Sequence, residues 1–143
     1  MGLPLDRLTA EKWAVEVAGG RQTREGVQSR IMGLARGRWQ YDPEVLEYIE
    51  GGGTAADYFA IHRNIIAETL ELSPDSIDLF NDHRYRDITQ MYDKEAKVKR
   101  SMTTGEVQQW ARNQDAFKNT RAYGEESSSV AGDLLVEFGA IAR

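Results

Sequence analysis

Cysteine is absent from the 143 residues of this chain, and histidine occurs only at His62 and His83. Without cysteine the chain can form no disulfide, no thiolate metal site and no cysteine nucleophile. Neither histidine has partners at the spacing of metal ligands or of a catalytic triad, so we predict no metal and no cofactor. No apolar run approaches the ~20 residues of a membrane-spanning helix, and we therefore expect no membrane span.

Basic residues are outnumbered, with 18 Lys and Arg against 23 Asp and Glu and a net charge of −5. Affinity for nucleic acid comes mainly from basic side chains that neutralise phosphates, so we do not expect nucleic acid to be a principal partner. Basic side chains do gather locally, and we interpret the two groups as solvated faces: Arg36, Arg38, His62 and Arg63, and then Lys97, Lys99 and Arg100.

The remaining composition is that of a folded protein, with 41% hydrophobic and 29% charged residues. This length fits a single helical domain over 1–143 with a core of its own. Its natural subdivision would be a helical part over 1–80, a loop or hairpin over 81–102, and a helical pair over 103–143. The hydrophobic content lies slightly under the globular norm, which suggests an elongated shape or helices that finish their burial against partner chains.

Helix starts are the clearest local signals in the sequence. Each is a Ser, Thr or Asp whose side chain can accept a hydrogen bond from a free N–H of the first turn. Proline follows two of them, and Glu106 completes the capping-box pattern of another. The predicted starts are Thr9, Thr23, Asp42, Thr54, Ser73 and Thr103, and at Ser73 the pattern predicts either a short helix or a turn. Glycine soon follows most of them, so we predict a mainly α, compact or slightly elongated bundle of about six short helices.

The longest apolar stripes predict two longer helices, over 54–70 and over 120–141. Residues 88–102 alternate weakly, which leaves a small β-hairpin with its turn at 93–96 and an irregular loop as open alternatives. The helix that begins at Thr23 contains Gly26, Gly33 and Gly37. These glycines indicate either close packing against another backbone or a marginal helix.

Carboxylates offer little ground for predicting catalysis. Glu47, Glu50 and Glu68 are the candidate acids of a cell-wall hydrolase, but helix-surface charge explains them equally well. The cluster of Asp78, Asn81, Asp82 and His83 lacks the glycine and terminal glutamate of an EF-hand loop and reads more simply as a turn. We predict a protein that is not an enzyme.

A DNA-binding role is the alternative that the residues leave open. The segment 9–38 predicts two helices joined by a short turn, as in a helix-turn-helix reader. The second helix carries a basic and polar set suited to DNA: Arg24, Gln28, Arg30, Arg36 and Arg38. The alternative function is therefore a small helical DNA-binding or packaging factor that uses residues 24–38.

Residues 101–141 read SMTTGEVQQWARNQDAFKNTRAYGEESSSVAGDLLVEFGAI. This segment resembles the C-terminal ends of large bacteriophage virion proteins, such as tail tape-measure proteins and internal proteins ejected with the genome. The matching pattern is a capped helix with an aromatic and an arginine, then an aromatic, a threonine and a long helix ending in Phe-Gly. Here these positions are Trp110, Arg112, Phe117, Thr120 and Phe138. This chain is far shorter than a tape-measure protein.

The resemblance implies a structural protein of the tail or genome-delivery apparatus, made in the bacterial host cytoplasm and located in the virion. Its implied partners are other virion proteins and copies of itself. Aromatic residues are the usual anchors of such contacts. The candidate packing or interface anchors are therefore Trp13, Trp39, Trp110, Arg112, Phe117, Thr120 and Phe138, and burial in the chain's own core is the alternative for each.

Overall fold

The computed structural model describes residues 7–139. Within this range the chain forms eight α-helices, three short 3₁₀ turns and one two-stranded antiparallel sheet, which confirms the mainly α prediction. The helices are α1 Arg7–Ala18, α2 Arg24–Trp39, α3 Pro43–Glu50, α4 Ala55–Tyr58, α5 Ala60–Leu70, α6 Arg86–Gln90, α7 Thr104–Arg112 and α8 Arg121–Glu137. The 3₁₀ turns are Pro74–Ser76, His83–Tyr85 and Asp115–Asn119.

Four of the predicted helix starts are confirmed by a hydrogen bond from the first turn to the capping side chain. The caps are Thr23, Asp42, Thr54 and Thr103. The Thr103 cap is a complete capping box, because the Glu106 carboxylate also accepts from the Thr103 N–H at 2.8 Å. These side chains find their partners three residues along the chain, which is why local sequence was enough to predict them.

The start predicted at Thr9 is wrong, because Thr9 lies inside α1, which already runs at Arg7. At Ser73 the turn alternative is confirmed, because Ser73 precedes the 3₁₀ turn Pro74–Ser76. The Ser73 side chain makes no cap; instead the Ser76 hydroxyl donates to the Ser73 carbonyl at 2.7 Å. A cap-like residue before an apolar run favours a helix start but does not by itself define one.

The single helix predicted over 54–70 is wrong, because the chain breaks at Phe59 between α4 and α5. The Phe59 ring is fully buried, with its centroid 5.5 Å from that of Trp39 and 6.0 Å from that of Phe80. Neither glycine nor proline marks the break, so the apolar stripe runs through it without interruption. Together with the short α6, this break raises the helix number above the predicted six.

The hairpin alternative for residues 88–102 is confirmed in part. Strands β1 Met91–Asp93 and β2 Val98–Arg100 pair antiparallel, with Met91 opposite Arg100. Asp93 organises the turn: its Oδ1 accepts from two turn N–H groups at 2.9 Å, and its Oδ2 accepts from Arg100 Nε at 2.9 Å. The predicted strand residues 88–90 belong instead to α6.

The described chain divides into two units, one made of residues 7–60 with 79–101 and the other of 61–78 with 102–139. The first unit has an aromatic core centred on Trp39, whose ring centroid lies 5.9 Å from Tyr41 and 6.3 Å from Phe80. The Tyr41 hydroxyl donates to the Thr89 carbonyl at 3.0 Å. The hairpin and α6 therefore belong with the first three helices.

Asp42 is the polar centre of the first unit. Its Oδ1 accepts from the Val45 N–H at 3.3 Å, which caps α3. Its Oδ2 accepts from the Ser101 N–H at 3.0 Å and also from the Ser101 hydroxyl. One buried carboxylate thus connects the start of α3 to the end of β2, 59 residues later.

The second unit buries one face of α7 and the turn that follows it. Val107, Ala111, Phe117 and Thr120 are buried, and the Phe117 ring lies 5.7 Å from Tyr123 at the start of α8. His62 is also buried, and its Nε2 donates to the Met102 carbonyl at 2.8 Å. The two charged residues of α7, Glu106 and Arg112, are not buried, as expected for an amphipathic helix.

The glycines of α2 do not mark a close helix contact. A Cβ at Gly33 or Gly37 would meet no atom within 4 Å. The interpretation that these glycines admit a neighbouring backbone is therefore wrong for residues 7–139. The other interpretation, a marginal helix, stays a prediction, based on a cost of up to ~1 kcal/mol for each glycine relative to alanine.

Candidate interaction surfaces

Two side chains, Thr120 and Glu71, accept hydrogen bonds from the first N–H groups of helix α8. Thr120 accepts a hydrogen bond from the Tyr123 N–H at 3.1 Å, which confirms the predicted start; the predicted end at Ile141 lies outside the described residues. Glu71 lies 50 residues earlier, and its carboxylate accepts from the N–H groups of Arg121 and Ala122 at 3.1 and 3.2 Å. A carboxylate at this position also complements the partial positive charge of the helix N-terminus.

The pKa of Glu71 is lowered from its ordinary value of 4.5, chiefly by the hydrogen bond from the Arg121 backbone. Sequence reasoning missed this residue, because no local pattern links Glu71 to a helix that starts so far along the chain. In the structure, Glu71 has a backbone φ of 53°, a left-handed conformation that residues other than glycine rarely adopt. That conformation follows the end of α5.

Farther along, α8 has no buried residue in any of its 17 positions. Its apolar side chains instead form an exposed stripe of Tyr123, Val130, Ala131 and Leu134, spaced so that they share one side of the helix. Val130 is 58% exposed and Leu134 is 47% exposed. We call this surface the α8 stripe.

One ion pair holds α8 against α7. Arg112 Nη2 donates to both carboxylate oxygens of Glu126, at 2.8 and 2.6 Å. The Arg112 guanidinium also lies 5.2 Å from the centre of the Phe117 ring, within the range of a cation–π contact. The arginine that the resemblance selected is thus engaged within the chain, in an ion pair whose side chains are about half exposed.

A second apolar surface lies between α1 and α2. It is an open groove of about 480 Å³, lined by Ala10, Trp13, Ala14, Val17, Ala18, Arg24, Val27 and Ile31. An adjoining hollow of about 290 Å³ shares four of these residues and continues toward the end of α3. All of the side chains except Arg24 are apolar, and we call this surface the α1–α2 groove.

The structure separates the predicted anchors into three groups. Trp39, Phe117 and Thr120 are buried in the core of their own unit. Trp13 and Trp110 are half-buried, and only Trp13 lines the groove. Phe138 is 81% exposed, at the end of α8. Spacing alone could not separate these groups, because a core aromatic and an exposed aromatic have the same sequence signature.

Two of the arginines suggested for DNA binding are already engaged. Arg36 Nε lies 2.8 Å from the Glu50 carboxylate, and the Arg38 guanidinium lies 5.5 Å from the Trp39 ring centre. Arg24 lines the α1–α2 groove. In the hairpin, Arg100 pairs with Asp93, so that basic group is also partly neutralised.

The titratable groups with large pKa shifts serve structure. Burial raises the pKa of Tyr41 to about 12, and burial with the Glu44 hydrogen bond raises that of Tyr58 to about 12. The Arg84 side chain lowers the pKa of Asp82 to about 2. All three shifts lead away from neutral pH, where a general acid or base would need to titrate.

Neither a metal site nor a membrane span is visible in the described part of the chain. From residue 7 to residue 139, no three His, Asp or Glu side chains are grouped so that they could hold a metal ion. Asp82, from the acidic cluster considered above, pairs with Arg84 at 2.6 Å. Over the same residues, no helix has both the length and the apolar character needed to cross a membrane.

Comparisons with protein-family models, with curated proteins and with solved structures found no match for this chain.

Proposed function

We propose that this protein is a non-enzymatic structural or assembly component of a bacteriophage virion, acting through protein–protein contacts in the tail or genome-delivery apparatus. The observation that carries the proposal is the α8 stripe. A helix of 17 residues without a single buried side chain keeps its apolar residues available to a partner. Contiguous exposed apolar surface of this kind marks interaction sites.

The way in which α8 is anchored supports this role. Thr120 and Glu71 fix its start, and Arg112 fixes its first turns through Glu126. A surface that is already ordered loses less conformational entropy when a partner binds. The helix therefore presents its stripe in a defined orientation before any contact forms.

The virion setting rests on the resemblance of residues 101–141 to the ends of phage tail and ejected proteins. The α8 stripe and Phe138 both lie in that segment, so the part of the chain that carries the resemblance also carries the exposed apolar surface. The DNA-binding alternative has less support, because Arg36 and Arg38 make contacts within the first unit.

The test is the composition of phage particles. In the phage that encodes this chain, the gene would be replaced by one that encodes the Leu134→Glu variant or the Ser128→Glu variant. Purified particles would then be analysed by quantitative mass spectrometry. Both changes add one carboxylate to an exposed position of α8, but Ser128 lies about 120° around the helix from Leu134 and does not line the stripe. Ser128→Glu is therefore the matched control.

We expect the unmodified chain and Ser128→Glu in particles at one fixed copy number. Because the contact would bury the new charge, particles should contain about tenfold less of the Leu134→Glu variant than of the unmodified chain, equivalent to ~1.4 kcal/mol of contact free energy. Absence of the unmodified chain from particles would refute the virion role. Equal incorporation of both variants would refute the role of the stripe.

A further inference from the structure

The α1–α2 groove and the α8 stripe are matching surfaces on one chain. The groove is concave and almost wholly apolar, with Trp13, Val17, Val27 and Ile31 in its walls. The stripe is one face of a single helix without buried residues, and its aliphatic side chains are Val130, Ala131 and Leu134. An amphipathic helix placed in an apolar groove is a recurrent mode of recognition between proteins.

The groove is long enough for about two turns of a helix. The α2 residues that line it run from Arg24 to Ile31, which at ~1.5 Å per residue span about 11 Å. The part of the stripe from Val130 to Leu134 spans about 6 Å and fits within that length.

Charge distinguishes this pairing from other pairings of the same surfaces. Helix α2 carries four arginines and one glutamate, and with the Glu50 carboxylate that pairs with Arg36 the charge on this surface is +2. Helix α8 carries one arginine and four carboxylates, and with the Arg112 guanidinium that pairs with Glu126 the charge is −2. Two copies of α8, or two copies of the groove, would bring like charges together, whereas α8 against α2 brings opposite charges together.

The positions of the charges fit the same arrangement. Asp133 and Glu137 are four residues apart and flank the stripe along one side of α8, on the same side as Glu126, which pairs with Arg112. In the groove, Arg24 lies in the wall itself, and Arg30 lies three residues from Val27. The acidic flank can therefore face basic residues while Val130 and Leu134 enter the apolar groove.

We propose that α8 of one copy of this protein binds in the α1–α2 groove of a second copy. The proposal rests on the proposed function and deepens it by naming the partner of the stripe as another molecule of the same chain. Because the two surfaces differ, the contact is head-to-tail, and each copy keeps one groove and one stripe for further neighbours. Successive contacts build an open chain of molecules, or a ring where the rotation closes.

The test is a mixing experiment with two full-length variants, followed by sedimentation velocity. Leu134→Glu damages the stripe and leaves the groove intact, and Val27→Glu damages the groove and leaves the stripe intact. Circular dichroism would establish that each variant is folded. If Val27→Glu does not fold, Arg24→Glu replaces it, since Arg24 is exposed and also lines the groove.

We expect the unmodified protein to sediment as species whose mass rises with concentration or reaches a fixed ring. Each variant alone should stay a monomer at the chain mass of 16.1 kDa. An equimolar mixture should form one complex of twice that mass, because an intact stripe meets an intact groove once and the remaining surfaces are damaged. Ser128→Glu should associate like the unmodified protein.

Each other outcome overturns the proposal. A Val27→Glu protein that still self-associates would mean that the stripe pairs with another stripe. A mixture that stays monomeric would mean that the two surfaces do not bind one another. An unmodified protein that is monomeric at every concentration would mean that the groove does not take α8 from another copy.

Failure here is distinguishable from failure of the proposed function. A chain that is present in particles at fixed copy number but never self-associates would keep the virion role and lose the head-to-tail contact. A chain that self-associates as described but is absent from particles would keep the contact and lose the virion role.

Discussion

Helices α3 and α8 use apolar residues in opposite ways, although both begin at a buried capping side chain. In the eight residues of α3, Val45 and Ile49 are buried in the first unit. In the 17 residues of α8, none is buried, and Leu134 faces outward. The comparison teaches that an apolar stripe specifies a face and leaves open which molecule covers it.

The largest difference between the two regions should appear on truncating their aromatic residues. Trp39→Ala should lower the free energy of unfolding by about 3–5 kcal/mol, because it leaves a cavity in the core of the first unit. Phe138→Ala, at the exposed end of α8, should change it by less than about 0.5 kcal/mol. Urea denaturation followed by circular dichroism measures both. Equal losses would mean that α8 is packed as firmly as the core.

Trp39→Phe is the milder variant at the same site. It keeps an aromatic ring against Phe59 and removes an indole N–H that has no acceptor among the described residues. We therefore expect a loss smaller than that of Trp39→Ala. A loss as large as that of alanine would contradict this account of the indole N–H, since a buried donor without an acceptor lowers stability and its removal should offset part of the loss.

The next difference is between the two capping residues. Asp42→Ala should cost about 2–3 kcal/mol, because it removes the cap of α3 and leaves the Ser101 donors unsatisfied. Thr120→Ala should cost about 1 kcal/mol, the usual effect of losing one N-cap hydrogen bond. The measurement is again urea denaturation. A smaller loss for Asp42 than for Thr120 would contradict the link from α3 to β2.

The smallest effect should come from Glu71→Gln, which keeps an oxygen acceptor and removes its charge. We expect faster amide exchange at Arg121 and Ala122, whereas Glu68→Gln, a charge-matched change on α5, should leave both amides unaffected. The folded-state pKa of Glu71 is lowered, so its contribution is complete above pH 4.5 and is lost as pH falls through the lowered value. Unchanged exchange across that range would contradict the Glu71 contact.

Local chemistry explains what the sequence could predict. Thr23, Asp42, Thr103 and Thr120 were found because their capping hydrogen bonds reach only three residues ahead. The hairpin could be named as one of two alternatives because Asp93 accepts a hydrogen bond from an N–H group of the turn that it begins. The break at Phe59 was missed because a buried aromatic, with no glycine or proline, interrupts an unbroken apolar stripe.

Distance along the chain explains most of the rest. The contacts of Glu71 with α8 and of Asp42 with Ser101 join residues 50 to 59 positions apart, so no window of sequence reveals them. Burial was the other missing quantity for the candidate site. Trp39, Phe117 and Phe138 were predicted as one set of anchors, and only folding separates core residues from the exposed aromatic.

The carboxylate of Asp42 has a consequence for motion. Because it accepts hydrogen bonds from both Val45 and Ser101, the first turn of α3 cannot open without releasing the end of β2. Groups that can only open together behave as one cooperative unit in local unfolding. We therefore expect α3 and the hairpin to unfold locally as one unit, although they are far apart in sequence, and α8 to unfold independently of them.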